Sequence, residues 1–270
     1  MNEKWRTTFK ELPMKSSISK SCTKGPVHAI VAFDGEAYAG WQRQANGISV
    51  QQKIEEALRQ LCGHAVTVHG ASRTDSGVHA LAMSIHFEWK AERPDGSDLM
   101  RSLNALLPED IRVLKLVHAK PDFHSRFDAC SKIYRYRIFN NRLGDPFRRK
   151  VAWFIHRPLD LAAMKRAAKL FVGKKNFSAM AANPGYERTT MVRHIRRCAI
   201  LKRGDEIHLE VEADGFLYKM VRTIVGTLVD VGLGRRSVES VRGLLKSKDR
   251  NGAGKTAPAH GLFLVRVNYQ

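Results

Sequence analysis

The chain has 270 residues and carries 46 Lys and Arg against 26 Asp and Glu, which gives a formal net charge of +20. Such an excess of positive charge opposes compaction and is typical of proteins that bind a polyanion, with nucleic acid as the leading candidate. An anionic membrane surface is the weaker alternative, because the sequence contains no apolar run long enough to span a bilayer and no separate basic amphipathic helix.

The first half of the chain shows the apolar periodicity of a β-α-β-β-α-β unit over residues 27–118. The predicted elements are a strand at 28–34, a helix from the N-cap Ser49 to Leu61, strands at 66–68 and 81–87, a helix at 99–106 and a strand at 111–117. Residues 1–26 precede this unit and are basic, so we expect a disordered arm there. An organelle transit peptide is the alternative, which Glu3 and Glu11 disfavour.

The second half repeats the pattern over residues 131–270, after a connection at 119–130. It contains a strand at 133–139, a helix at 161–171 capped by Asp160, strands at 195–201 and 207–211, a helix at 216–231, an extra helix from Ser237 to Leu245 and a strand at 262–267. Two such units predict an α+β fold with two ferredoxin-like halves. We expect the halves to join edge to edge in an antiparallel sheet around a central active-site cleft.

The cysteines and histidines predict neither a metal site nor a disulfide framework. The four cysteines form no Cys-x-x-Cys pair, and no His-Glu-x-x-His spacing occurs. We therefore expect free thiols in a reducing, cytoplasmic environment.

The segment Gly252-Ala253-Gly254-Lys255-Thr256 is similar to the end of a phosphate-binding loop, but Asp249 stands where the full motif needs glycine, so we reject a nucleotide triphosphatase.

The turn between the predicted strands at 66–68 and 81–87 carries the strongest functional signal. Residues 70–80 read Gly-Ala-Ser-Arg-Thr-Asp-Ser-Gly-Val-His-Ala, which places Asp75 two positions after Arg73 in a turn bounded by glycines. A carboxylate on a loop that a sheet supports is well placed for catalysis. The alternative is an ordinary turn, because Asp, Ser and Gly all favour turns.

Further short segments accompany this turn in a fixed order along the chain. They are Phe33-Asp34-Gly35, Tyr38-Ala39-Gly40-Trp41-Gln42, Val50-Gln51, Leu103-Asn104, Leu107-Pro108, Phe123-His124-Ser125-Arg126-Phe127, Lys132-Ile133-Tyr134-Arg135-Tyr136, Phe216-Leu217-Tyr218-Lys219-Met220-Val221-Arg222, Ile224-Val225-Gly226, Ala257-Pro258-Ala259 and Gly261-Leu262. Together with residues 73–80 they resemble the TruA family of tRNA pseudouridine synthases over nearly the whole chain after residue 27. One departure is Ser72, where the family more often has glycine.

The resemblance implies an isomerase that converts uridine to pseudouridine in the anticodon stem-loop of tRNA, at positions 38 to 40. It also implies a homodimer with tRNA across both subunits, no cofactor, no metal and no membrane. Two alternatives stay open: a synthase of the same family with another RNA target, and a non-catalytic RNA-binding protein built from tandem ferredoxin-like units.

The resemblance also assigns roles to four residues. Asp75 is expected to be the catalytic nucleophile, acting on the sugar or the base, and Arg222 its bidentate ion-pair partner; the alternative for Arg222 is a solvated helix charge. Tyr134 is expected to stack on the target uracil and assist proton transfer, although a strand aromatic in the core, as expected for Tyr136, is the alternative. Arg73 is expected to fill the space left by the flipped nucleotide, with a turn-stabilising role as the alternative.

Overall fold

A computed structural model describes residues 25–89, 96–183, 185 and 189–270. Residues 1–24 of the predicted disordered arm lie outside the described residues, whereas Gly25 and Pro26 belong to the first strand, so the arm does not extend to residue 26. The strands are β1 (Gly25–Phe33), β2 (His69–Gly70), β3 (His79–Trp89), β4 (Ile111–His118), β5 (Ala129–Asn140), β6 (Trp153–Ile155), β7 (Gly173–Asn176), β8 (Val192–Arg203), β9 (Glu206–Ala213) and β10 (Leu262–Tyr269). The helices are α1 (Val50–Cys62), α2 (Gly96–Leu106), α3 (Leu161–Lys169), α4 (Met220–Gly232) and α5 (Val238–Ser247).

One large sheet joins the two halves. Its strand order is β4-β1-β3-β10-β5-β9-β8-β7, with β2 beside β3 and β6 beside β5. In the second half, the order β10-β5-β9-β8 is that of a ferredoxin-like unit, in which the last strand lies beside the first. The first half has the equivalent order β4-β1-β3-β2, so the prediction of a mixed fold with two ferredoxin-like halves in one sheet is confirmed.

The junction between the halves differs from the antiparallel pairing we predicted. Strands β3 and β10 run parallel and pair only through His79 with Phe263 and Ala80 with Leu264. Strand β10 pairs antiparallel with β5 over most of its length. The sheet is therefore mostly antiparallel, and a short parallel contact at the start of β3 connects its two halves.

The predicted strand at 66–68 is wrong. Val66 and Val68 are buried, but their backbone is irregular and strand β2 is restricted to two residues. The reason lies in α1, where the amide of Gln51 donates to the Val68 carbonyl at 2.9 Å and Glu55 accepts from the Val68 N–H at 3.1 Å. Helix side chains thus satisfy the backbone groups that a neighbouring strand satisfies in a complete ferredoxin-like unit.

Helix α4 begins four residues later than predicted. Lys219, just before its first residue, has a left-handed backbone with φ of 58°, which a continuous right-handed helix excludes. The apolar stretch 216–231 suggested one continuous helix, but Phe216 and Leu217 belong to the preceding loop, from which they pack against the core. As a consequence, Arg222 lies in the first turn of α4.

The two faces of the sheet differ in character. On the helix-covered face, β1 contributes Val27, Ala29 and Val31, and β5 contributes Tyr134 and Tyr136, all buried. The opposite face of β5 carries Arg135 and Arg137, which pair with Glu210 and Glu206 of β9 at 2.7 and 2.8 Å. This period-two alternation places the apolar layer on one side only. None of the helices described is long and apolar enough to cross a bilayer.

A histidine cluster occupies the opposite face of the first half. His86 lies 4.9 Å from His69 and 4.5 Å from His124 between ring centroids, and its Nδ1 lies 2.9 Å from the hydroxyl of Ser125. His28 Nε2 is 2.8 Å from the hydroxyl of Ser84. Burial lowers the pKa of both His28 and His86 to about 4. These rings are therefore neutral in the folded protein at neutral pH.

We expect the free energy of unfolding to fall as the pH drops from about 6.5 toward 4. In this window the unfolded chain binds protons at His28 and His86 while the folded protein does not, so acid favours unfolding. Each histidine contributes a slope of up to about 1.4 kcal/mol per pH unit. Urea unfolding at pH 7.0, 5.5 and 4.5 measures this loss. In the variant His86→Gln, the free energy of unfolding should fall less steeply with decreasing pH. Equal stability at all three pH values would contradict the expectation.

Candidate active site

The loop that carries Asp75 is fixed by backbone contacts with residues 35–41. The Trp41 N–H donates to the Thr74 carbonyl at 3.1 Å, and within the loop itself the Val78 N–H donates to the Asp75 carbonyl at 3.1 Å. Gly40 has a φ of +104°, and a Cβ there would lie 2.5 Å from the Thr74 carbonyl oxygen. Only glycine allows this close approach. The Asp75 carboxylate is thereby held just before β3, at the junction of the two halves.

Arg222 contacts this carboxylate from the first turn of α4. Its Nη1 donates to Asp75 Oδ2 at 2.8 Å, and its Nε donates to the Ala257 carbonyl at 2.7 Å. The Asp75 and Arg222 side chains are 21% and 14% exposed. The bidentate geometry that we expected is not formed, since Nη1 alone contacts the carboxylate and Nε donates to the Ala257 carbonyl instead. The guanidinium therefore links the loop of Asp75 to a third segment of the chain.

That third segment comprises residues 252–257 and includes the sequence that is similar to the end of a phosphate-binding loop. A Cβ at Gly226 would lie 1.7 Å from the Lys255 carbonyl oxygen, so α4 and this segment are in direct backbone contact. The Gly254 N–H donates to the Thr227 hydroxyl at 3.1 Å, and the Ala257 N–H donates to the Arg222 carbonyl at 3.1 Å. These contacts place the Ala257 carbonyl where it holds the guanidinium, a role that we did not foresee from the sequence.

Tyr134 lies on β5, opposite Leu264 of β10 and Val211 of β9. Its side chain is only 4% exposed, and its hydroxyl is 3.0 Å from the hydroxyl of Ser72. The ring meets Phe216 edge to face at 5.0 Å between centroids. Burial, with a smaller contribution from the Asp75 charge, raises the pKa of Tyr134 to about 12. Its phenol is therefore protonated at neutral pH.

Tyr136 and Arg73 lie in contrasting environments beside this site. Tyr136 is fully buried, and its hydroxyl donates to the Pro258 carbonyl at 2.8 Å. Arg73 is exposed and forms no hydrogen bond or ion pair with any residue that the structure describes. The structure thus brings Asp75, Arg222 and Tyr134 to one place and leaves Arg73 at its solvent side.

Lys132 is a further residue near the site to which the sequence assigned no role. It lies on β5, on the same face as Tyr134, and its Nζ donates to the Ala71 carbonyl at 2.6 Å. Burial is the main cause that lowers its pKa to about 8. The contact ties the beginning of the Asp75 loop to the second half of the sheet. The signal in the sequence was its place in the segment Lys132-Ile133-Tyr134-Arg135-Tyr136.

The site combines three functional groups that can take part in chemistry. They are the Asp75 carboxylate, the Arg222 guanidinium that donates to it, and the neutral Tyr134 phenol, whose hydroxyl is hydrogen-bonded to Ser72. The described part of the chain contains no group of three or more His, Cys, Asp or Glu side chains placed to bind a metal ion. Such a set suits nucleophilic or acid–base chemistry on a substrate brought to the junction of the halves.

The chain is similar to known proteins over most of its length. A family model described as tRNA pseudouridine synthase matches residues 29–128 and 167–270. The chain is 42% identical to tRNA pseudouridine synthase A of Thermoanaerobacter sp. (strain X514), over 90% of this chain and 99% of that protein. It is 44% identical to the protein of that name from Pelobacter propionicus, over 88% of this chain and 97% of that protein.

A solved structure, the archaeal box H/ACA sRNP Nop10-Cbf5 complex, aligns with a TM-score of 0.35 at 10% identity, over 76% of this chain and 43% of that chain. This likeness is too distant to inform the site. The family model and the curated relatives cover both halves of the sheet, including the loop of Asp75 and the helix of Arg222. The chain therefore belongs to the tRNA pseudouridine synthase family.

Proposed function

We propose that this enzyme isomerises uridine to pseudouridine in the anticodon stem-loop of tRNA, at positions 38 to 40, with Asp75 as the catalytic nucleophile. The observation that carries the proposal is the hydrogen bond between Arg222 and Asp75 at 2.8 Å, at the junction of the halves in a chain of this family. The guanidinium donates to the carboxylate and fixes its position, and a nucleophile requires a fixed position to attack one atom of the substrate.

The reaction conserves all atoms of the substrate. The N1–C1′ bond of uridine breaks, the uracil turns, and a C5–C1′ bond forms; the proton on C5 is then lost and N1 gains one. Asp75 supplies the nucleophile that carries the substrate through these steps, and the Tyr134 hydroxyl assists the movement of the C5 proton. No oxidant or reductant is consumed, so the reaction needs no redox cofactor.

Access to the uridine requires that its nucleotide leave the helical stack, because C1′ and C5 are not accessible together inside a stem. Arg73 is exposed beside Asp75 and is free to enter the vacated space. A uracil that stacks on Tyr134 has to displace a neighbouring side chain, since that ring is 4% exposed. Phe216 is the neighbour that we propose turns aside, because it contacts Tyr134 from a loop and is only partly buried.

Binding of tRNA is proposed to depend mainly on phosphate contacts. The net charge of +20 suits a polyanion, and phosphate contacts supply affinity with little dependence on the reacting base.

We propose a homodimer with tRNA across both subunits, which doubles the basic surface presented to one RNA. Sedimentation should then give twice the 30.5 kDa mass of the chain. A fully active monomer at the same concentration would contradict the dimer.

The roles of Tyr134 are separable by two substitutions. Tyr134→Phe should retain stacking but slow single-turnover pseudouridine formation, whereas Tyr134→Ala should also weaken substrate binding by about 1–3 kcal/mol. Tyr136→Phe is the matched control, since it removes a hydroxyl from the same face of β5, and its main effect should be on thermal stability. Full activity of a stably folded Tyr134→Ala protein would remove Tyr134 from the site.

Mapping pseudouridine in tRNA from cells with and without the gene tests the proposed target. We expect pseudouridine to disappear from positions 38 to 40 of the anticodon stem-loop when the gene is deleted and to return when it is restored. Loss at other tRNA positions or in another RNA, with the anticodon stem-loop unaffected, would identify a synthase with a different target.

A further inference from the structure

Ser72 contacts the catalytic tyrosine across the junction of the two halves. Its hydroxyl lies 3.0 Å from the hydroxyl of Tyr134, and among the residues that the structure describes it is the one hydrogen-bond partner of that phenol. Ser72 belongs to the loop of Asp75 in the first half, whereas Tyr134 belongs to β5 in the second half. The two residues are 62 positions apart in the sequence.

The backbone before Ser72 is held from two sides. The Ala71 N–H donates to the Ser84 carbonyl of β3 at 2.8 Å, and the Ala71 carbonyl accepts from Lys132 Nζ of β5 at 2.6 Å. Because Ala71 is fixed to strands of both halves, the adjacent Ser72 hydroxyl is delivered to a defined place beside Tyr134. A hydroxyl on such a support can fix the orientation of the group that it contacts.

The direction of this hydrogen bond has a chemical consequence. A phenol can donate its own hydrogen while its oxygen accepts another. If Ser72 donates, the Tyr134 O–H is free to point at the substrate, and the accepted hydrogen bond stabilises the phenol oxygen when its proton moves. Without Ser72, the buried Tyr134 hydroxyl loses its partner, and its hydrogen has no fixed direction.

We infer that Ser72 is a positioning residue for Tyr134: its hydroxyl donates to the phenol oxygen and so directs the Tyr134 O–H toward the substrate. This inference rests on the proposed role of Tyr134 in proton transfer.

Single-turnover pseudouridine formation at saturating enzyme tests the inference. The proteins compared are the wild type, Ser72→Ala, Ser72→Thr, Tyr134→Phe and the double variant Ser72→Ala/Tyr134→Phe. We expect Ser72→Ala to slow the reaction by about 10-fold, with the tRNA dissociation constant unchanged within about two-fold. Ser72→Thr, which keeps the hydroxyl, should restore most of the rate. In the Tyr134→Phe background, Ser72→Ala should cause little further loss, because the group through which it acts is absent.

Three outcomes would overturn the inference. One is a wild-type rate in Ser72→Ala, even if its melting temperature falls, which would limit the hydrogen bond to a structural role. Another is that Ser72→Ala slows the single-turnover rate by the same factor in the Tyr134→Phe background as in the wild type. That result would mean that Ser72 acts on the Asp75 loop instead of through the Tyr134 hydroxyl. A third is a wild-type rate in Tyr134→Phe itself, which would leave the proposed pseudouridine synthesis intact. Absence of pseudouridine formation by the wild-type protein is a different failure, since it would remove the proposed function together with the inference.

Discussion

Replacing Asp75 with asparagine is expected to abolish pseudouridine formation, with a loss of about 10⁴-fold or more in the single-turnover rate. Asparagine keeps the size of the side chain and still accepts a hydrogen bond from Arg222, but its amide is not a nucleophile. The affinity for tRNA should change by no more than about three-fold, because phosphate contacts supply most of the binding. Release of tritium from C5-labelled uridine in tRNA measures the rate, and a filter-binding titration measures the affinity.

Asp122→Asn provides the matched control for this experiment. It changes the net charge by the same amount at an exposed position in the connection between the halves. Its rate and its tRNA affinity should equal those of the wild type. Appreciable turnover by Asp75→Asn would remove Asp75 from the chemistry, whereas a parallel loss in both variants would point to an effect of charge on RNA binding.

Replacing Arg222 with methionine is expected to slow the reaction by about 10²-fold or more, since it leaves the Asp75 carboxylate without the donor that fixes it. The variant also loses the hydrogen bond to the Ala257 carbonyl. The side chains of Asp75 and Arg222 are both partly exposed, so we expect the free energy of unfolding to fall by about 1–3 kcal/mol. Arg222→Lys should react at a rate between those of the wild type and Arg222→Met. Its ammonium retains the positive charge but does not contact both Asp75 and the Ala257 carbonyl as the guanidinium does.

Arg135→Met is the control that separates stability from chemistry. Arg135 pairs with Glu210 at 2.7 Å in a similarly shielded environment, but on the opposite face of β5 from Tyr134. Its loss should lower the melting temperature by a comparable amount and leave the single-turnover rate within a few-fold of the wild type. If Arg135→Met slows the reaction as much as Arg222→Met, the special role of Arg222 would be contradicted.

The elements of the fold were predictable where local chemistry decides them. The predicted caps Ser49, Asp160 and Ser237 each accept a hydrogen bond from a backbone N–H in the first turn of their helix. The alternation of Tyr134 and Tyr136 with Arg135 and Arg137 correctly indicated a strand with two unlike faces. Capping and period-two burial depend on neighbours in the sequence, so they can be identified without knowledge of the rest of the fold.

The secondary-structure predictions were wrong where contacts with residues distant in the sequence, or a change in the backbone, decide the conformation. Val66 and Val68 have the apolar alternation of a strand, but Gln51 and Glu55 satisfy the Val68 backbone from α1. Phe216 and Leu217 continue the apolar stretch that precedes α4, but the left-handed Lys219 separates them from the helix. The parallel contact between β3 and β10 depends on how the halves meet, and periodicity contains no information on that register.

The site was predictable only as far as the family resemblance reaches. The turn around Asp75 is by itself compatible with an ordinary turn, and Arg222 lies 147 positions away in the sequence. The resemblance indicated both residues, but not that Ala257 engages the Nε of Arg222. The contacts of Ser72 with Tyr134 and of Lys132 with Ala71 also escaped prediction, because each links residues of different halves.

The most direct test of the account is to incubate the purified protein with an unmodified tRNA transcript that has uridines at positions 38 to 40. No nucleotide, redox cofactor or other protein is added, and pseudouridine is then mapped at single-nucleotide resolution. We expect pseudouridine in the anticodon stem-loop with the wild-type protein and none with Asp75→Asn. Absence of pseudouridine with the folded, tRNA-binding wild-type protein, or equal formation by Asp75→Asn, would contradict it.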